Sequence, residues 1–550
     1  MHGTPLRPMR PGARIVATPE PEHRQRTYCI YYQPNFPITR KVYLHNNCRC
    51  NELVSLRNRV LFQCITPSPR AVTRCKLVAR LIADWLPQVD KQDGEWIQSY
   101  TGRKKRKYLE AESSLNCIPL RRSDSYVAAF IKAEKIFELK DPRMIQARSA
   151  RYNYALGNYL KPLEHHLYNI KGTGRLRKYL PPGRLIAKGC NMQRRALLIK
   201  KKMQRFVEPV VISIDASRFD AHITTMLEVE HLIYKRYWKS PELDRLLAWQ
   251  VHNRGRTSTG LRYRCQGGRM SGDMNTALGN CLISIIILAN VMRELKIKPE
   301  KWDMLCDGDD VLLIMDRRIA PTDEQLINLY KDHGLPIKLE NKTSEYHKVR
   351  FCQSFPVQTQ MGPKMVAFPE RTLSRALVGV KHWSEPKFIP KYLCLIGYCE
   401  LALNMGCPVL QEFALTVLSW GTNLPKNLQA TGRTIKAMRE ERHHPICPLP
   451  ITSDARLSFE LATGIGVEEQ RAMEGALRAL RRHGSQKETI TTDTPPSKWA
   501  PRWLKPTEGN AAPDAEPPKA TAPLKQLQMD RMVYSLHHPD ILQNTSWDTG

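Results

Sequence analysis

The sequence predicts a mixed α+β fold, and three observations carry that expectation. Met304–Met315 has two apolar, β-prone halves around Asp307-Gly308, the strongest short-range signal of a tight hairpin. Val210–Asp215 reads as a second strand, an apolar run closed by an acid. Around these runs apolar residues recur at helical spacing, over Ala277–Met292, Pro390–Trp420 and Ala455–His483.

Size and charge bound the function. The 550 residues suffice for several subdomains, and 85 Lys+Arg against 53 Asp+Glu leave a net charge of +32. So large an excess is self-repulsive without a polyanion, either nucleic acid or an anionic membrane surface. Fifteen cysteines without a spacing framework indicate reduced thiols. Only His45, Cys48 and Cys50 cluster, with Cys64 as a possible fourth ligand; without a matching downstream pair, scattered core thiols are the better account than zinc. Met1–Tyr28 has no apolar core of a signal peptide. The longest apolar stretch, Cys281–Met292, is about 18 Å long as a helix and too short to span a bilayer.

In chain order, Pro5, Pro8, Pro11, Pro19 and Pro21 among arginines mark residues 1–28 as a disordered basic arm. Tyr28–Tyr43 reads as extended, and helices follow over Asn51–Phe62 and Ala71–Trp85. The basic run Gly102–Lys107 is a solvated or RNA-contacting face. Between 126 and 164, cations at extended-strand spacing either line the wall of a tunnel that grips a triphosphate or are plain surface charge. Gln266–Thr276 is a Gly-rich loop feeding the helix Ala277–Met292. Its Ser271, Thr276 and Asn280 present hydroxyl and amide groups suited to a ribose, although Ser271 and Asn275 also suit helix capping. Thr322–His333 reads as a helix ended by Gly334, before an extended Leu335–Glu340. There Lys338 is a proton donor or an ordinary strand-edge lysine. Arg350–Val357 suggests a short strand or turn, residues 390–483 a helical lobe, and the Pro-rich tail after Gly484, with Trp499, Trp503 and Trp547, a largely disordered segment.

The chemistry concentrates at the hairpin. Carboxylates crowded at the ends of apolar strands repel one another and lose solvation, which is costly unless a cation sits among them. A lone Gly-Asp-Asp is weak evidence, but Asp215 at the end of a second strand would join Asp309 and Asp310. Oxygen-only ligands select Mg²⁺ or Mn²⁺, and such a pair of strands suits two ions roughly 3.5–4 Å apart.

Asp215-Ala-Ser-Arg-Phe-Asp220, Arg269-Met-Ser-Gly-Asp-Met-Asn-Thr276 with Gly279-Asn280, Gly308-Asp-Asp310 and Phe351-Cys-Gln353 before Pro356-Val357 come in a telling order. Asp141-Pro-Arg143 with Ile145-Gln146, Arg148 and Leu160-Lys-Pro-Leu-Glu164 extend the series upstream. Together they resemble the viral RNA-dependent RNA polymerases, most of all the tombusvirus-like group of positive-strand RNA viruses, over roughly residues 125–360.

The resemblance implies a closed right hand. Residues 1–45 would be an N-terminal arm, 46–210 fingers with an N-terminal extension, 211–230 palm, 231–266 a fingers insertion, 267–357 palm with an antiparallel sheet, 358–483 a helical thumb and 484–550 the tail. It implies Asp215 and Asp309 as ligands of both ions, Asp310 as an accessory ligand and Lys338 as general acid. Asp220, Ser271, Thr276 and Asn280 would read the 2′-OH of the incoming nucleotide. Lys135, Arg143, Arg148 and Arg151 would contact its triphosphate. The implied reaction is in-line attack of a 3′-OH on the α-phosphorus, with two Mg²⁺ or Mn²⁺ ions offsetting the charge of nucleophile and pyrophosphate. The implied partners are RNA template and product, NTPs and a viral or host membrane-anchored replication partner, which would recruit the chain to membranes of the host cytoplasm. Two departures stand out: Ala147 where relatives usually carry Pro, and Cys306-Asp307 before the Gly, with Asp307 expected to face solvent.

Two rivals make different predictions. A reverse transcriptase shares the palm carboxylates but normally excludes the 2′-OH with a bulky side chain. A non-catalytic RNA-binding or capsid-like protein needs only the basic charge and leaves Asp215, Asp309 and Asp310 without a purpose. No Walker-type loop or methyltransferase fingerprint is present.

Overall fold

Strands that are apolar at nearly every position need cover on both sides of their sheet, and helices flanking them in sequence provide it. The computed structural model describes residues 5–16, 29–30, 42–138, 140–379, 389–422 and 432–482. Its main strands are β1 (Arg14–Val16), β2 (Val127–Ile131), β3 (Met144–Ala147), β4 (Pro209–Ala216), β5 (His252–Thr257), β6 (Arg262–Gln266), β7 (Trp302–Asp307), β8 (Asp310–Asp316), β9 (Ile337–Thr343), β10 (Ser354–Thr359) and β11 (Gly362–Ala367). They form a five-stranded sheet β1-β6-β5-β2-β3, a four-stranded sheet β9-β4-β8-β7 and the hairpin β10-β11. Every pairing of the four-stranded sheet is antiparallel.

The period of two assigns each side of that sheet. Ile212, Ile214, Leu313, Met315, Met304 and Cys306 enter the largest core, shared with helices Pro69–Trp85, Ala150–Tyr168, Thr225–Trp238 and Thr276–Glu294. Val211, Leu305, Leu312 and Ile314 face the other way, against Ala196, Ile199 and Met203 of helix Met192–Met203. With both faces covered, no polar alternation is required, which is why these strands read as continuous apolar runs.

Helix Thr276–Glu294 is longer than the apolar stretch expected from sequence. By length and composition its 19 residues reach what crossing a membrane requires, yet 89% of its most apolar window is buried in the protein. Helices and sheet surround it, so it needs no polar face. The C-terminal periodicity resolves into Ile389–Asn404, Leu410–Ser419, Ser453–Thr463 and Val467–Arg482, which enclose a second core with Phe355, Val357 and Val366. Gly464, at φ +77°, ends one of these helices in the left-handed conformation that glycine adopts freely.

Several expectations need correction. The tunnel-wall spacing fails beyond β3: the Ser149 hydroxyl accepts from Tyr152 N at 3.1 Å and starts helix Ala150–Tyr168, so Arg151 projects from a helix. The basic run 102–107 opens helix Gly102–Cys117. Asn51–Phe62 is helix only over Arg49–Ser55, followed by a wider turn at Leu56–Val60. The arm is ordered at Arg14–Val16, where β1 pairs with β6 as an edge strand. Residues 17–28, most of the Tyr28–Tyr43 segment and the tail with its three tryptophans lie outside the described residues. The fourteen cysteines from Cys48 to Cys447 are free, and Cys64 Sγ donates to Ala221 O at 3.2 Å.

Candidate active site

The hairpin turns one residue later than its sequence suggests. Asp307 and Asp310 pair as the last strand residues, so the two central turn residues are Gly308 and Asp309. Gly308 has φ +74° while Asp309 stays in the ordinary half of backbone space. That is the pattern of a type II′ turn, whose first central position favours glycine. The core helix holds the turn: Ser284 Oγ donates to Gly308 O at 2.9 Å, and Gly308 N donates to Cys281 Sγ at 3.1 Å.

Register then brings distant residues together. Asp310 on β8 is directly opposite Asp215 on β4, and Asp215 is directly opposite Lys338 on β9. Directly opposed residues share a face. Asp307, Asp310, Asp215 and Lys338 therefore form one row across four strands, with Asp309 on the turn at its end. Asp307 does not face solvent as expected. It is buried and ion-paired with Lys188 Nζ at 2.5 Å and Arg195 at 2.6 Å. Burial alone would raise its carboxyl, but the two cations outweigh it and hold the group below the usual carboxylate range. Asp307 is thereby committed to fixing the base of the hairpin.

The other acids carry unbalanced repulsion. Burial, then the charges of Asp309 and Asp307, push Asp310 up to about 7 against a hydrogen bond from Cys352. Burial and then Asp309 raise Asp215, with Lys338 and Arg143 opposing. Asp220 is raised by burial first and Asp309 second. Among the described residues no three His, Cys, Asp or Glu side chains are grouped so as to hold a metal ion. The donor set nevertheless suits a hard divalent cation: oxygen ligands from Asp215, Asp309 and Asp310, whose repulsion such an ion would relieve.

Behind the row runs a buried polar chain. Asn280 Nδ2 donates to Asp220 Oδ1 and Arg269 Nε to Asn280 Oδ1, both at 3.0 Å. Arg269 pairs with Glu230, which also accepts from Asn275 at 2.7 Å and from Tyr234 OH at 2.9 Å. Gln250 donates to Asn275 Oδ1 at 2.8 Å, and His231 Nε2 lies 2.9 Å from Gln250 Oε1. A Cβ at Gly279 would collide with the Glu230 carboxylate, so glycine permits the close approach of the two helices here. The structure thus joins Asp220 and Asn280 directly. The Ser271 hydroxyl is instead engaged with β3, accepting from Gln146 N at 3.0 Å, and Thr276 Oγ1 donates to Met270 O at 3.0 Å. Asn275 precedes the helix without capping it, its side chain being spent on Glu230.

Glu230, Gln250 and His231 escaped the sequence reading, and Arg269 entered it only as the start of a motif, without a role. The available signal was an acid one turn before Tyr234 on the same helical face, among Leu227, Val229, Leu232 and Ile233. His231 is 2% exposed, and burial and then Arg269 pull it down to about 3. A histidine that must stay neutral when folded but protonates near 6.5 when unfolded contributes stability above pH 6.5 that is lost as pH falls. The folded chain should lose about 1.4 kcal/mol from this residue between pH 7.5 and 5.5. Urea unfolding at the two pH values checks this, and a His231→Gln variant should lose that part of the slope.

The four basic candidates divide. Arg143 lies among the acids: Glu134 at 3.3 Å raises its pKa most, and Asp309, Asp220 and Asp215 add to the rise. More than half of its side chain is open to water, as in a cleft (54%). Arg148 is fully buried, paired with Asp273 and bonded to Ser125 O and Asn253, so the expected triphosphate contact is overturned. Arg151 spends its donors on Asp124, Ser114, Ile118 O and Pro119 O and is a structural clamp rather than a phosphate ligand. Lys135 Nζ donates to Arg375 O at 2.8 Å, linking the region before β3 to helix Pro369–Ala376.

Residues 16–484 match the family model described as viral RNA dependent RNA polymerase. The RNA-directed RNA polymerase of Groundnut rosette virus (strain MC1) is 34% identical over 397 residues, covering 70% of this chain and 45% of that protein. That of Turnip crinkle virus is 32% identical over 457 residues, 78% of this chain and 57% of the relative. That of Melon necrotic spot virus is 30% identical over 494 residues, 85% and 61%. The chain thus spans about half the length of the curated relatives it matches.

Proposed function

Because the chain belongs to the viral RNA-dependent RNA polymerase family, we propose that it copies an RNA template into RNA from NTPs by two-metal-ion nucleotidyl transfer. The observation that carries this reading is the strand register that sets Asp215 beside Asp310, with Asp309 on the adjoining turn. In this reading the chain is a closed right hand. The four-stranded sheet belongs to a palm of residues 211–230 and 267–357, fingers take 46–210 and 231–266, and residues 358–483 form the thumb. Residues 1–45 are an arm and 484–550 a tail.

Asp215 and Asp309 would hold two Mg²⁺ or Mn²⁺ ions with Asp310 as accessory, and bound ions supply charge neutralisation for the nucleophile and the leaving pyrophosphate. Lys338, exposed and opposite Asp215, gives a proton to the departing pyrophosphate in this reading. Arg143 binds the triphosphate from the rim of the acid cluster. Asp220, held by Asn280, accepts the ribose 2′-OH, and Ser271 and Thr276 fix the loop that carries them. The protein otherwise aligns reactants and offsets charge that already exists. The partners in this reading are template and product RNA, NTPs and a membrane-anchored replication partner in the host cytoplasm. The apolar helix Thr276–Glu294 is spent on the core and is no anchor in the folded chain.

Purified full chain with a short RNA template, NTPs and Mg²⁺ should yield the complementary RNA. No product with either Mg²⁺ or Mn²⁺ would count against the reading. A reverse transcriptase would prefer dNTPs. Asn280→Ala, by freeing Asp220, should lower NTP-over-dNTP selectivity roughly five- to tenfold, the worth of one hydrogen bond, with selectivity measured as a ratio of kcat/KM values.

A further inference from the structure

The outer face of the five-stranded sheet is a grid of arginines. Residues of β5 and β6 alternate strictly, with Asn253, Gly255, Thr257, Tyr263 and Cys265 buried and His252, Arg254, Arg256, Arg262, Arg264 and Gln266 exposed. Arg254 is directly opposite Arg264, and Arg256 is directly opposite Arg262. The edge strand β1 extends both rows, setting exposed Arg14 beside Arg264 and Val16 beside Arg262. Five guanidinium groups thus share one surface, and among the described residues none of them forms an ion pair with an acid. Like charges directly opposite each other destabilise a sheet, so folding alone gives no reason for this arrangement. Where Arg254 does have a partner it is an aromatic one, Tyr126, whose hydroxyl accepts from its guanidinium at 3.1 Å. A groove of about 430 Å³ opens at one end of this face, where β5 begins and β6 finishes, lined by Gly12, Arg122, His252, Arg254, Arg264 and Gln266 together with Asn253 and Cys265.

We infer that this face is a docking surface for the sugar-phosphate backbone of single-stranded RNA, outside the carboxylate site. Residues two apart on a strand stand about 6.8 Å from each other and neighbouring strands about 4.8 Å apart. A phosphate chain laid across the sheet therefore meets a guanidinium at each step, and planar Arg forks match phosphate oxygens. Tyr126, 39% exposed, offers a ring on which a base can stack. A bilayer is the poorer fit: besides Val16, these two rows offer no large apolar side chain to insert. The end of β6 leads within a few residues to Arg269, whose backbone N–H donates to Asp220 O at 2.8 Å, so a strand held here is delivered toward the candidate active site.

The inference rests on the proposed RNA-copying function, and the test separates the two. Binding of a short single-stranded RNA to the full chain is measured against salt for wild type, Arg254→Gln/Arg264→Gln, Arg256→Gln/Arg262→Gln and Asp309→Asn, beside RNA synthesis and sedimentation with phosphatidylserine vesicles. Each arginine pair should weaken RNA binding roughly tenfold and lower the log–log salt slope by about 1.4, two single-strand phosphates at about 0.7 each. Asp309→Asn should bind as wild type does. The thermal midpoint of the arginine variants should not fall, since each loses a like-charge pair. Unchanged RNA affinity and slope overturn the docking surface, whether or not vesicle binding falls. Wild type that synthesises RNA while the arginine variants bind normally leaves the function standing without this surface; arginine-dependent binding with no synthesis does the reverse.

Discussion

Asp309→Asn should abolish nucleotide incorporation while leaving the fold intact. Asp309 sits on a two-residue turn rather than inside a strand, and that turn is held by Ser284 and Cys281 through the backbone of Gly308. Amidation therefore breaks none of the hydrogen bonds that position the hairpin. What it removes is a negative charge felt by Asp215, Asp220, Asp310 and Arg143 alike. A lost metal ligand costs several kcal/mol of transition-state stabilisation, so incorporation should fall by about a thousandfold or more. Without divalent ion the variant should melt no lower than wild type, because the acid cluster has lost one repelling member. A variant that incorporates nucleotides within tenfold of wild type would remove Asp309 from the chemistry.

The second large effect lies away from the reacting atoms. Glu230→Ala should cost about 3–5 kcal/mol of stability, because it leaves the guanidinium of Arg269 buried without its counter-charge. Arg269 and Glu230 side chains are both 0% exposed, so water cannot take the place of the missing carboxylate. Asn275 and Tyr234 lose their acceptor in the same step. Urea unfolding measures the loss. Since Arg269 also orients Asn280, and Asn280 orients Asp220, the folded fraction should in addition lose NTP-over-dNTP selectivity. Glu230→Gln keeps the shape and part of the hydrogen bonding and should fall between the two. A Glu230→Ala chain as stable as wild type would show that the buried chain is not needed to hold these helices together.

What could be read in advance follows from how local each signal is. The hairpin strands, β4 and the loop before helix Thr276–Glu294 announce themselves because runs of Val, Ile, Leu and Met flank acids or glycines within a few residues. The register of the turn does not. Asp307-Gly308 looks like the tip, yet a II′ turn wants glycine first, and the pairing of Asp307 with Asp310 moves Asp307 from the tip to the base. Its partners Lys188 and Arg195 lie more than a hundred residues upstream, beyond any spacing rule. Arg148 misled for a related reason: a cation near a phosphate-binding motif resembles a ligand until its buried partner Asp273 is seen. The five-stranded sheet was hidden by its own chemistry, since β5 and β6 put arginines where a strand usually shows β-branched residues, and glycine at a buried position. Glu230 could be suspected as an acid among apolar helix residues, but its counter-charge Arg269 lies 39 residues downstream, in another segment.

The most direct test of the central claim is a Mn²⁺ titration of the full chain with template RNA and a non-hydrolysable NTP, followed by electron paramagnetic resonance of the free ion. Wild type should take up two Mn²⁺ ions, and Asp215→Asn and Asp309→Asn should each lose at least one while still binding RNA. Equal uptake by wild type and both variants would contradict the account, since the acids that register brings together would then not be what holds the ions.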